Sequence, residues 1–543
     1  MTSLARARGV LASLRTAALF GLDACPVHVE VDVSFGLPSF TMVGLPDASV
    51  RESRDRVRSA IRNSGYEFPP HKIIVNLAPA DVRKAGASFD LPIALGILAA
   101  SGVVERRQVA DLVLLGELSL DGSIHATRGV LPIAVAARRD GVSGLLLPAS
   151  NAHEASIVHG IDVLAVSSLT QAVNVLNDPS ARANPRRLAD LPHPPDLRDP
   201  HALRHLPGLP DLADVRGQLL ARRAVEIAAA GGHNLLLVGP PGAGKTMMAR
   251  RMPGILPPLT FEEALEVTAV HSVAGLLKPD VGLLSARPFR APHHTISNAA
   301  LVGGGTLPRP GEVSLAHHGV LFLDEMLEFS RHVLEVLRQP LEEGSVSIAR
   351  AARTAVFPAR FVLVGAMNPC PCGFFGDDVR VCRCTPVQMA RYQNRLSGPL
   401  RDRLDMTVDV PALPPDAMRE RGCGESSAAV RARVVAARAR QLARYAGTTV
   451  RSNAELPPAF VMKHCALDAP GARLLGVAAQ RVRLTGRGYD RVRKVARTIA
   501  DLAEAEVIGA PHVAEALQYR SFNEVMQVTP VVHRRPRARS RAP

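Results

Sequence analysis

The sequence predicts an α/β protein built around a nucleotide-binding core, with a second α/β domain before the core and a helical lid after it. Three observations predict the core: a glycine-rich loop after one apolar run, two carboxylates after a second, and an asparagine after a third. Each run has the length of a buried strand, and side chains that follow parallel strands gather at one edge of a sheet. The chain has 543 residues, too many for one hydrophobic core, which also indicates several domains.

The glycine-rich loop has the GxxxxGK[ST] pattern of a phosphate-binding loop, or P-loop. It follows the apolar run 234–238 and opens the helix-like segment 246–251, and this context makes the pattern specific. Backbone N–H groups of such a loop wrap the β-phosphate, its lysine reaches the β- and γ-phosphates, and its hydroxyl binds Mg²⁺. We therefore expect ATP and Mg²⁺ as cofactors. The loop residues are Gly239, Pro240, Pro241, Gly242, Ala243, Gly244, Lys245 and Thr246.

Two carboxylates, Asp324 and Glu325, end the second apolar run. We expect Asp324 to hold the Mg²⁺ shell together with Thr246, and Glu325 to polarise the attacking water. Asn368 ends the third run, where its side chain would lie beside the γ-phosphate and orient that water. The stretch between the first two motifs is longer than a minimal nucleotide fold needs. It predicts an insertion over the basic, loop-like residues 287–312.

Further along, residues 345–350 and 354–357 alternate in polarity like strands and predict a β-hairpin with Arg350 and Arg353 at its tip. Two interpretations remain open. The hairpin is either an ordinary solvated one or a pore loop that grips a nucleic-acid backbone by charge.

Four cysteines follow Asn368 with the spacing C-x-C-x₉-C-x-C. Four thiolates in one short loop match tetrahedral zinc ligation in number, although the C-x-C pairs are tighter than usual. Zinc here would be structural, because four protein ligands leave no open position. Free or redox-active thiols are the alternative. The four residues are Cys370, Cys372, Cys382 and Cys384.

Two arginines occupy positions that ring ATPases use to complete a nucleotide site. Arg403 precedes the strand-like run 406–410, the place of the finger that completes a neighbouring subunit's site; Arg401 is the second candidate and an ordinary surface pair the alternative. Arg487 begins a basic amphipathic helix, from which a sensor-2 arginine of the lid would reach the nucleotide. Arg491 is its alternative.

Composition points to an acidic partner. The chain carries 65 Lys and Arg against 50 Asp and Glu, which favours nucleic acid or an acidic surface as a partner. Tryptophan is absent and aromatics are 4%, so a grip on DNA should use phosphates, not base stacking. No run of apolar residues is long enough to span a membrane, and the odd cysteine count does not fit a secreted disulfide framework. We expect a soluble, cytoplasmic protein without a membrane partner.

Changes in periodicity and composition divide the chain into five parts. They are an α/β domain (1–175), a linker rich in Pro, Arg and Asp (176–211), the ATPase core (212–411), a helical lid (412–522) and a basic tail (523–543).

Taken in order, these motifs resemble those of the Mg-chelatase-like AAA+ ATPases of the YifB/ComM type. The most specific segments are 36–45, 309–325 and 368–373. The resemblance implies an AAA+ P-loop core with a helical lid, a hexameric ring, an insertion in the second core helix and a hairpin before sensor 1. It also implies single-stranded or branched DNA as partner, because members of the ComM type are helicases that extend strand integration during natural transformation. The alternative is a Mg-chelatase-like motor that remodels a protein partner without DNA.

The N-terminal domain, residues 1–175, resembles the Lon protease domain, whose Ser–Lys dyad hydrolyses peptides. Ser88 falls at the position of the nucleophile, but Leu131 occupies the position of the lysine. Lys84 is close in sequence, although four residues upstream in a loop is not the geometry of the dyad. A serine without a base is a poor nucleophile, so we expect this fold without proteolysis, as a DNA-binding or assembly collar.

Overall fold

A computed structural model describes most of the chain. The predicted basic tail lies wholly outside the described residues, as does Arg350, and the predicted linker lies almost wholly outside them. The described residues are 10–81, 84, 86–178, 210–279, 281–305, 307–349, 353–376, 380–413, 424–481 and 484–520.

The N-terminal part is built on a mixed seven-stranded sheet with helices against it. Its strands and the small hairpin beside it are β1 Val10–Phe20, β2 Asp23–Ser34, β3 Ser39–Val43, β4 Lys72–Ala78, β5 Leu112–Leu114, β6 Glu117–Leu118, β7 Ile124–His125, β8 Gly144–Pro148 and β9 Asp162–Val166. Its helices are α1 Ala48–Asn63, α2 Asp90–Ala100, α3 Val130–Arg139, α4 Ala152–Ala155 and α5 Leu169–Asn177.

The sheet order is β3-β4-β2-β1-β5-β8-β9. A long antiparallel hairpin at its centre pairs Val10 with Val33 at one end and Phe20 with Asp23 at the other. Helix α2 is buried at every position because it lies directly on this hairpin. A Cβ at Gly96 would come within 2.6 Å of Val31 Cγ2, so only glycine permits this close approach.

The ATPase core contains a second sheet of five parallel strands, in the order β11-β14-β17-β10-β18. Its strands and those of two small hairpins are β10 Leu235–Val238, β11 Phe289–Arg290, β12 Gly303–Gly304, β13 Arg309–Pro310, β14 Val320–Leu323, β15 Ser345–Ala349, β16 Thr354–Pro358, β17 Val362–Met367 and β18 Met406–Asp409. Its helices are α6 Leu219–Gly231, α7 Lys245–Arg251, α8 Phe261–Ala274, α9 Asn298–Val302, α10 Glu312–Leu315, α11 Arg331–Glu335, α12 Arg338–Glu343, α13 Pro386–Gln393 and α14 Gly398–Arg401.

This sheet confirms the predicted α/β class and the parallel P-loop core. The expected loop over residues 287–312 is more ordered than predicted, because β11 joins the sheet edge and short helices and a hairpin follow it. Arg290 forms a two-pronged ion pair with Glu312 at 2.6 and 2.7 Å, so its charge is neutralised inside the fold. The predicted β15–β16 hairpin is confirmed, with pairing from Ser345 opposite Pro358 onwards.

The C-terminal part is helical. Helix α18 shares one hydrophobic core with α6 and the parallel sheet, through residues such as Val495 and Ile499. Polar contacts add to this packing: Gln441 Nε2 donates to Ala230 O at 3.0 Å, and His233 Nε2 lies 2.7 Å from Thr498 Oγ1. The helices are α15 Ser427–Arg444, α16 Pro458–His464, α17 Ala469–Arg481, α18 Gly486–Leu502 and α19 Ala510–Gln518.

The N-terminal part packs against the ATPase core along α3 and α8. Apolar side chains of both helices, among them Val130 and Val267, belong to one buried cluster. At its rim, the buried Glu154 carboxylate accepts from Leu131 N at 2.8 Å and from the Ser272 hydroxyl on α8. Burial raises the pKa of Glu154, and these hydrogen bonds oppose that rise. Within the described parts, no helix has both the length and the apolar character to cross a membrane.

Candidate nucleotide-binding site

The P-loop lies between the end of β10 and the start of α7, and left-handed glycines shape it. Gly242 and Gly244 have φ angles of 80° and 92°, a region that favours glycine. Lys245 is buried, and its Nζ donates to Gly239 O at 2.6 Å and Pro240 O at 2.8 Å. Burial lowers the pKa of Lys245, while the carboxylates that follow β14 raise it. The loop therefore surrounds a cation, as phosphate binding requires.

The predicted Mg²⁺ ligands meet at this edge of the sheet. Thr246 Oγ1 donates to Asp324 Oδ2 at 2.7 Å, which brings the P-loop hydroxyl and the carboxylate after β14 together. The next residue, Glu325, has a left-handed φ of 48°, and its N–H donates to Asp324 Oδ1 at 3.0 Å. A hydroxyl and a carboxylate suit Mg²⁺, which prefers oxygen ligands and keeps several waters.

Asn368 completes the cluster from the end of β17. Its Oδ1 accepts from Lys245 Nζ at 3.2 Å. The parallel register explains the meeting, because Val238 at the end of β10 pairs with Met367 at the end of β17. The structure thus brings Lys245, Thr246, Asp324 and Asn368 to one edge.

The predicted arginines gather at the opposite edge, where the strands begin. Asn234, which precedes β10, donates from Nδ2 to Arg403 O at 2.9 Å. Asp405, which precedes β18, lies 3.3 Å from Arg491 Nε. Arg403 and Arg491 line a cavity of about 820 Å³ between this edge and the C-terminal helices. Neither lies beside the P-loop of its own chain.

Positive charge is concentrated at this second edge. Arg403 is paired with Glu342, but its buried Nε has no hydrogen-bond partner among the described residues. Burial lowers the pKa of Arg403, and repulsion from Arg487 and Arg491 lowers it further. Arg487, at the start of α18, is therefore a neighbour of Arg403. Burial also lowers the pKa of Arg401, the second finger candidate.

The four cysteines after Asn368 converge. The Sγ atom of Cys370 lies 3.3 Å from that of Cys372 and 3.6 Å from that of Cys382, and all four sulfurs lie within 4.8 Å of one another. Tetrahedral zinc with Zn–S bonds of about 2.3 Å holds its sulfurs roughly 3.8 Å apart. The four sulfurs are therefore spaced almost as they would be around a tetrahedral zinc ion.

A second candidate group, Glu266 with His317 and His318, was missed in the sequence because its glutamate is far away along the chain. His317 Nε2 and His318 Nε2 lie 2.9 and 2.8 Å from one Glu266 oxygen. His317 Nδ1 accepts from Arg360 N at 3.0 Å, so we assign its proton to Nε2. That nitrogen then has no lone pair for a metal, and the group is a hydrogen-bond network between an exposed glutamate and two more buried histidines.

Other predicted residues lie away from the nucleotide edge. Arg353, at the hairpin, is 3.6 Å from Asp81 and donates to Cys25 Sγ at 3.5 Å, both in the N-terminal part. Lys84 is fully buried and its ammonium donates to Pro79 O. Leu131 is also fully buried, and Ser88 O accepts from Gly116 N at 3.1 Å.

Comparison with known sequences supports one family. Profiles of the magnesium chelatase subunit ChlI match residues 29–151 and 211–418, and the profile of its C-terminal part matches 424–520. YifB of Salmonella typhimurium is 44% identical over 527 residues, 95% of this chain and 98% of its own. The chain belongs to the Mg-chelatase-like AAA+ ATPases of the YifB/ComM type. Competence protein ComM of Haemophilus influenzae is 44% identical over 521 residues, 95% of this chain and 99% of its own.

More distant relatives share less of the chain. The magnesium-chelatase 38 kDa subunit of Rhodobacter capsulatus is 29% identical over 152 residues, 25% of this chain and 43% of that subunit. As a member of the YifB/ComM type, this protein is an AAA+ ATPase. ATP and Mg²⁺ are accordingly the ligands that the family implies for the P-loop edge, whose lysine, hydroxyl and carboxylate fit them.

Substitutions at the P-loop edge should separate binding from hydrolysis. Lys245→Ala removes the phosphate-binding cation and should weaken binding of a fluorescent ATP analogue by roughly 30- to 100-fold. Glu325→Gln should bind the analogue normally but release phosphate about 10²–10⁴ times more slowly, since water activation is lost. Glu328→Gln, whose carboxylate pairs with Arg395 at 3.1 Å, is the matched control. A normal rate in Glu325→Gln would assign the base elsewhere.

Acid stability should depend on Asp405. Burial raises its pKa, but the nearby His233 and Arg491 and the Asn234 N–H more than compensate and hold it at about 2. The carboxylate therefore stabilises the fold above the unfolded pKa of about 3.9, and that contribution, about 2–3 kcal/mol, is lost as pH falls towards 2. Between pH 5 and pH 3, the melting temperature of Asp405→Asn should fall less than that of the wild type. Asp402→Asn is the control; an equal fall in Asp405→Asn would contradict the assignment.

Proposed function

We propose that this protein is a hexameric, ATP-driven ring motor that acts on single-stranded or branched DNA. Its work would be branch migration by a helicase during recombination, as in natural transformation. The proposal of an ATP-driven motor rests on one observation, the meeting of Lys245, Thr246, Asp324 and Asn368 at one sheet edge. The printed name of the Haemophilus influenzae relative, a competence protein, supports the biological setting.

A stripe of arginines on helix α1 supports DNA as the partner. Arg51, Arg54, Arg58 and Arg62 are all exposed. With about 100° of turn per residue, these positions share one helix face, and they rise by roughly 5–6 Å from one to the next. Guanidinium groups in such a row suit phosphate oxygens and not bases, as the low aromatic content predicts.

The arginine stripe begins near Arg353 of the hairpin. The first turn of α1 is fixed to Lys84 and Gly86, since Asp47 N donates to Lys84 O and Gly86 N to Ser49 Oγ, both at 3.0 Å. A few residues earlier, Asp81 contacts Arg353 of the hairpin. Arg353 and the arginine stripe thus lie on neighbouring parts of the fold, and we propose that one DNA strand contacts both.

The separation of the two edges of the parallel sheet is evidence for assembly into a ring. β10 contains four residues, so roughly 13 Å of strand lies between the P-loop and the arginine edge. Three arginines lie at the edge opposite the P-loop of their own chain: Arg403, Arg487 and Arg491. We infer that they complete the nucleotide site of a neighbouring subunit. To reach a phosphate oxygen of that neighbour, the Arg403 guanidinium would leave its pair with Glu342 and turn outward.

A chelatase-like motor that remodels a protein partner without DNA is the second candidate. It is favoured by the similarity to the Rhodobacter capsulatus subunit, which covers a quarter of this chain. The two candidates share the motor chemistry and differ in what the moving ring grips.

ATP hydrolysis with and without single-stranded and forked DNA, at two salt concentrations, tests the DNA proposal. We expect DNA to stimulate hydrolysis several-fold and the stimulation to fade at high salt, because phosphate contacts release counterions. Arg350→Ala combined with Arg353→Ala should keep basal hydrolysis and lose the stimulation.

Asp81→Ala is the matched control for that experiment. It removes the ion pair between Arg353 and the N-terminal part but keeps the positive charge. Stimulation should survive in Asp81→Ala. If Asp81→Ala loses stimulation as the arginine variant does, Arg353 acts as a structural link between domains; if DNA never stimulates the wild type, the protein-remodelling candidate is favoured.

Mixed rings test the role of Arg403 across subunits. Arg403→Ala alone should hydrolyse ATP at least about 10³-fold more slowly, the scale of a missing arginine finger. Mixed with Lys245→Ala, which is also inactive, it should regain part of the activity, because one subunit type supplies the finger and the other a working P-loop. No recovery in the mixture, with assembly verified by light scattering, would indicate a role within one chain.

A further inference from the structure

The loop that carries the cysteine group also touches the P-loop. Gly373, within the Cys370–Cys384 segment, is buried and has a φ angle of 85°. A Cβ at this position would lie 2.7 Å from Pro241 Cδ and 3.0 Å from Pro241 Cγ. Pro241 belongs to the P-loop itself, so the cysteine loop lies directly against the turn that binds phosphate.

The same loop begins at the γ-phosphate side of the site. Asn368, which accepts from Lys245 Nζ at 3.2 Å, is separated from Cys370 by a single residue. Cys370 is buried, and its carbonyl accepts from Gly373 N at 2.9 Å, which closes a tight turn between the cysteines and the P-loop contact. One short turn therefore joins the thiols, Pro241 and Asn368.

The thiols are arranged for a shared metal and not for a disulfide. Sγ–Sγ separations of 3.3 and 3.6 Å are far longer than the about 2.05 Å of a disulfide bond and close to the spacing around tetrahedral zinc. Cys372 and Cys382 are also 3.6 Å apart, and Cys384 N lies 3.5 Å from Cys382 Sγ, an N–H contact typical around metal-bound thiolates. Without a metal, four thiolates at these distances would repel one another.

We propose that Cys370, Cys372, Cys382 and Cys384 bind one Zn²⁺, and that this zinc holds the turn against Pro241 so that the affinity for ATP depends on the metal. The ion bridges Cys372 and Cys382 and so closes the loop between them. It thereby holds in place the short turn that contacts the P-loop. Zinc thus acts as a positioning element of the nucleotide site and has no open coordination position for catalysis. This proposal needs nucleotide binding only and is independent of DNA.

The full-length protein tests the proposal through two readouts, zinc content by mass spectrometry and the Kd of a fluorescent ATP analogue. We expect about one zinc per chain as purified. Removing zinc with a chelator should weaken analogue binding about tenfold, and adding Zn²⁺ back should restore it. Protein without zinc, or zinc-free protein with an unchanged Kd and an unchanged circular dichroism spectrum, would overturn the proposal.

Variants separate the metal from the contact that it supports. Cys372→Ser should lose zinc and weaken analogue binding, whereas Cys465→Ser, at a buried cysteine outside the group, should change neither. Gly373→Ala should keep zinc yet weaken binding about tenfold, since its methyl group meets Pro241. If Cys372→Ser does not fold, Gly373→Ala and chelation still decide. Normal affinity in a zinc-loaded Gly373→Ala would exclude the coupling to the P-loop.

Discussion

The five-stranded parallel sheet of the ATPase core is the constraint on which the candidate sites depend. Because all five strands run the same way, the residues that follow them meet at one edge and those that precede them at the other. Lys245, Asp324 and Asn368 come together at the first edge although they are distant in sequence. The arginines before β18 and at the start of α18 come together at the second. Nucleotide chemistry and its proposed control by a neighbour thus follow from one topological feature.

The second edge carries buried charge, which a fold retains only where partners compensate for lost hydration. Asp405 is held between Arg491 and the Asn234 N–H, and it lies 3.8 Å from His233 Nδ1, a buried atom without a hydrogen-bond partner among the residues that the structure describes. The charge of Arg403 is only partly compensated, since its Nε has no hydrogen-bond partner in the described part of the chain. The buried charges at this edge are thus only partly paired. An anion from a neighbouring subunit would supply the missing partner.

The sequence indicated the local elements well and the long-range pairs poorly. The helix from Asp47 onwards was predictable from its period, and Asp47 indeed accepts from Val50 N as a cap. β1, by contrast, has no clear alternation in its sequence, and its pairing with β2 makes it a strand. The Arg290–Glu312 pair and the position of Arg487 beside Arg403 depend on chain folding over long distances, which no local pattern encodes. Glycine spacing predicted the P-loop, since glycine readily adopts the left-handed φ angles that the loop requires.

The N-terminal part contacts the motor through several elements, and two of its polar contacts differ in burial. Glu154 accepts from Ser272 near the end of α8, which lies between the P-loop helix and the inserted segment, and Asp81 faces Arg353 on the hairpin before β17. The first contact is buried, so its loss would leave a desolvated carboxylate short of a donor, at about 1–3 kcal/mol. The second is exposed and therefore weak, at about 0–1 kcal/mol. The hairpin is also held by apolar contacts, since Phe20 and Leu22 beside the β1–β2 turn pack against the cluster that contains Ala355 and Phe357. Both α8 and the hairpin therefore keep the two α/β parts together, because each adds apolar packing to its polar contact.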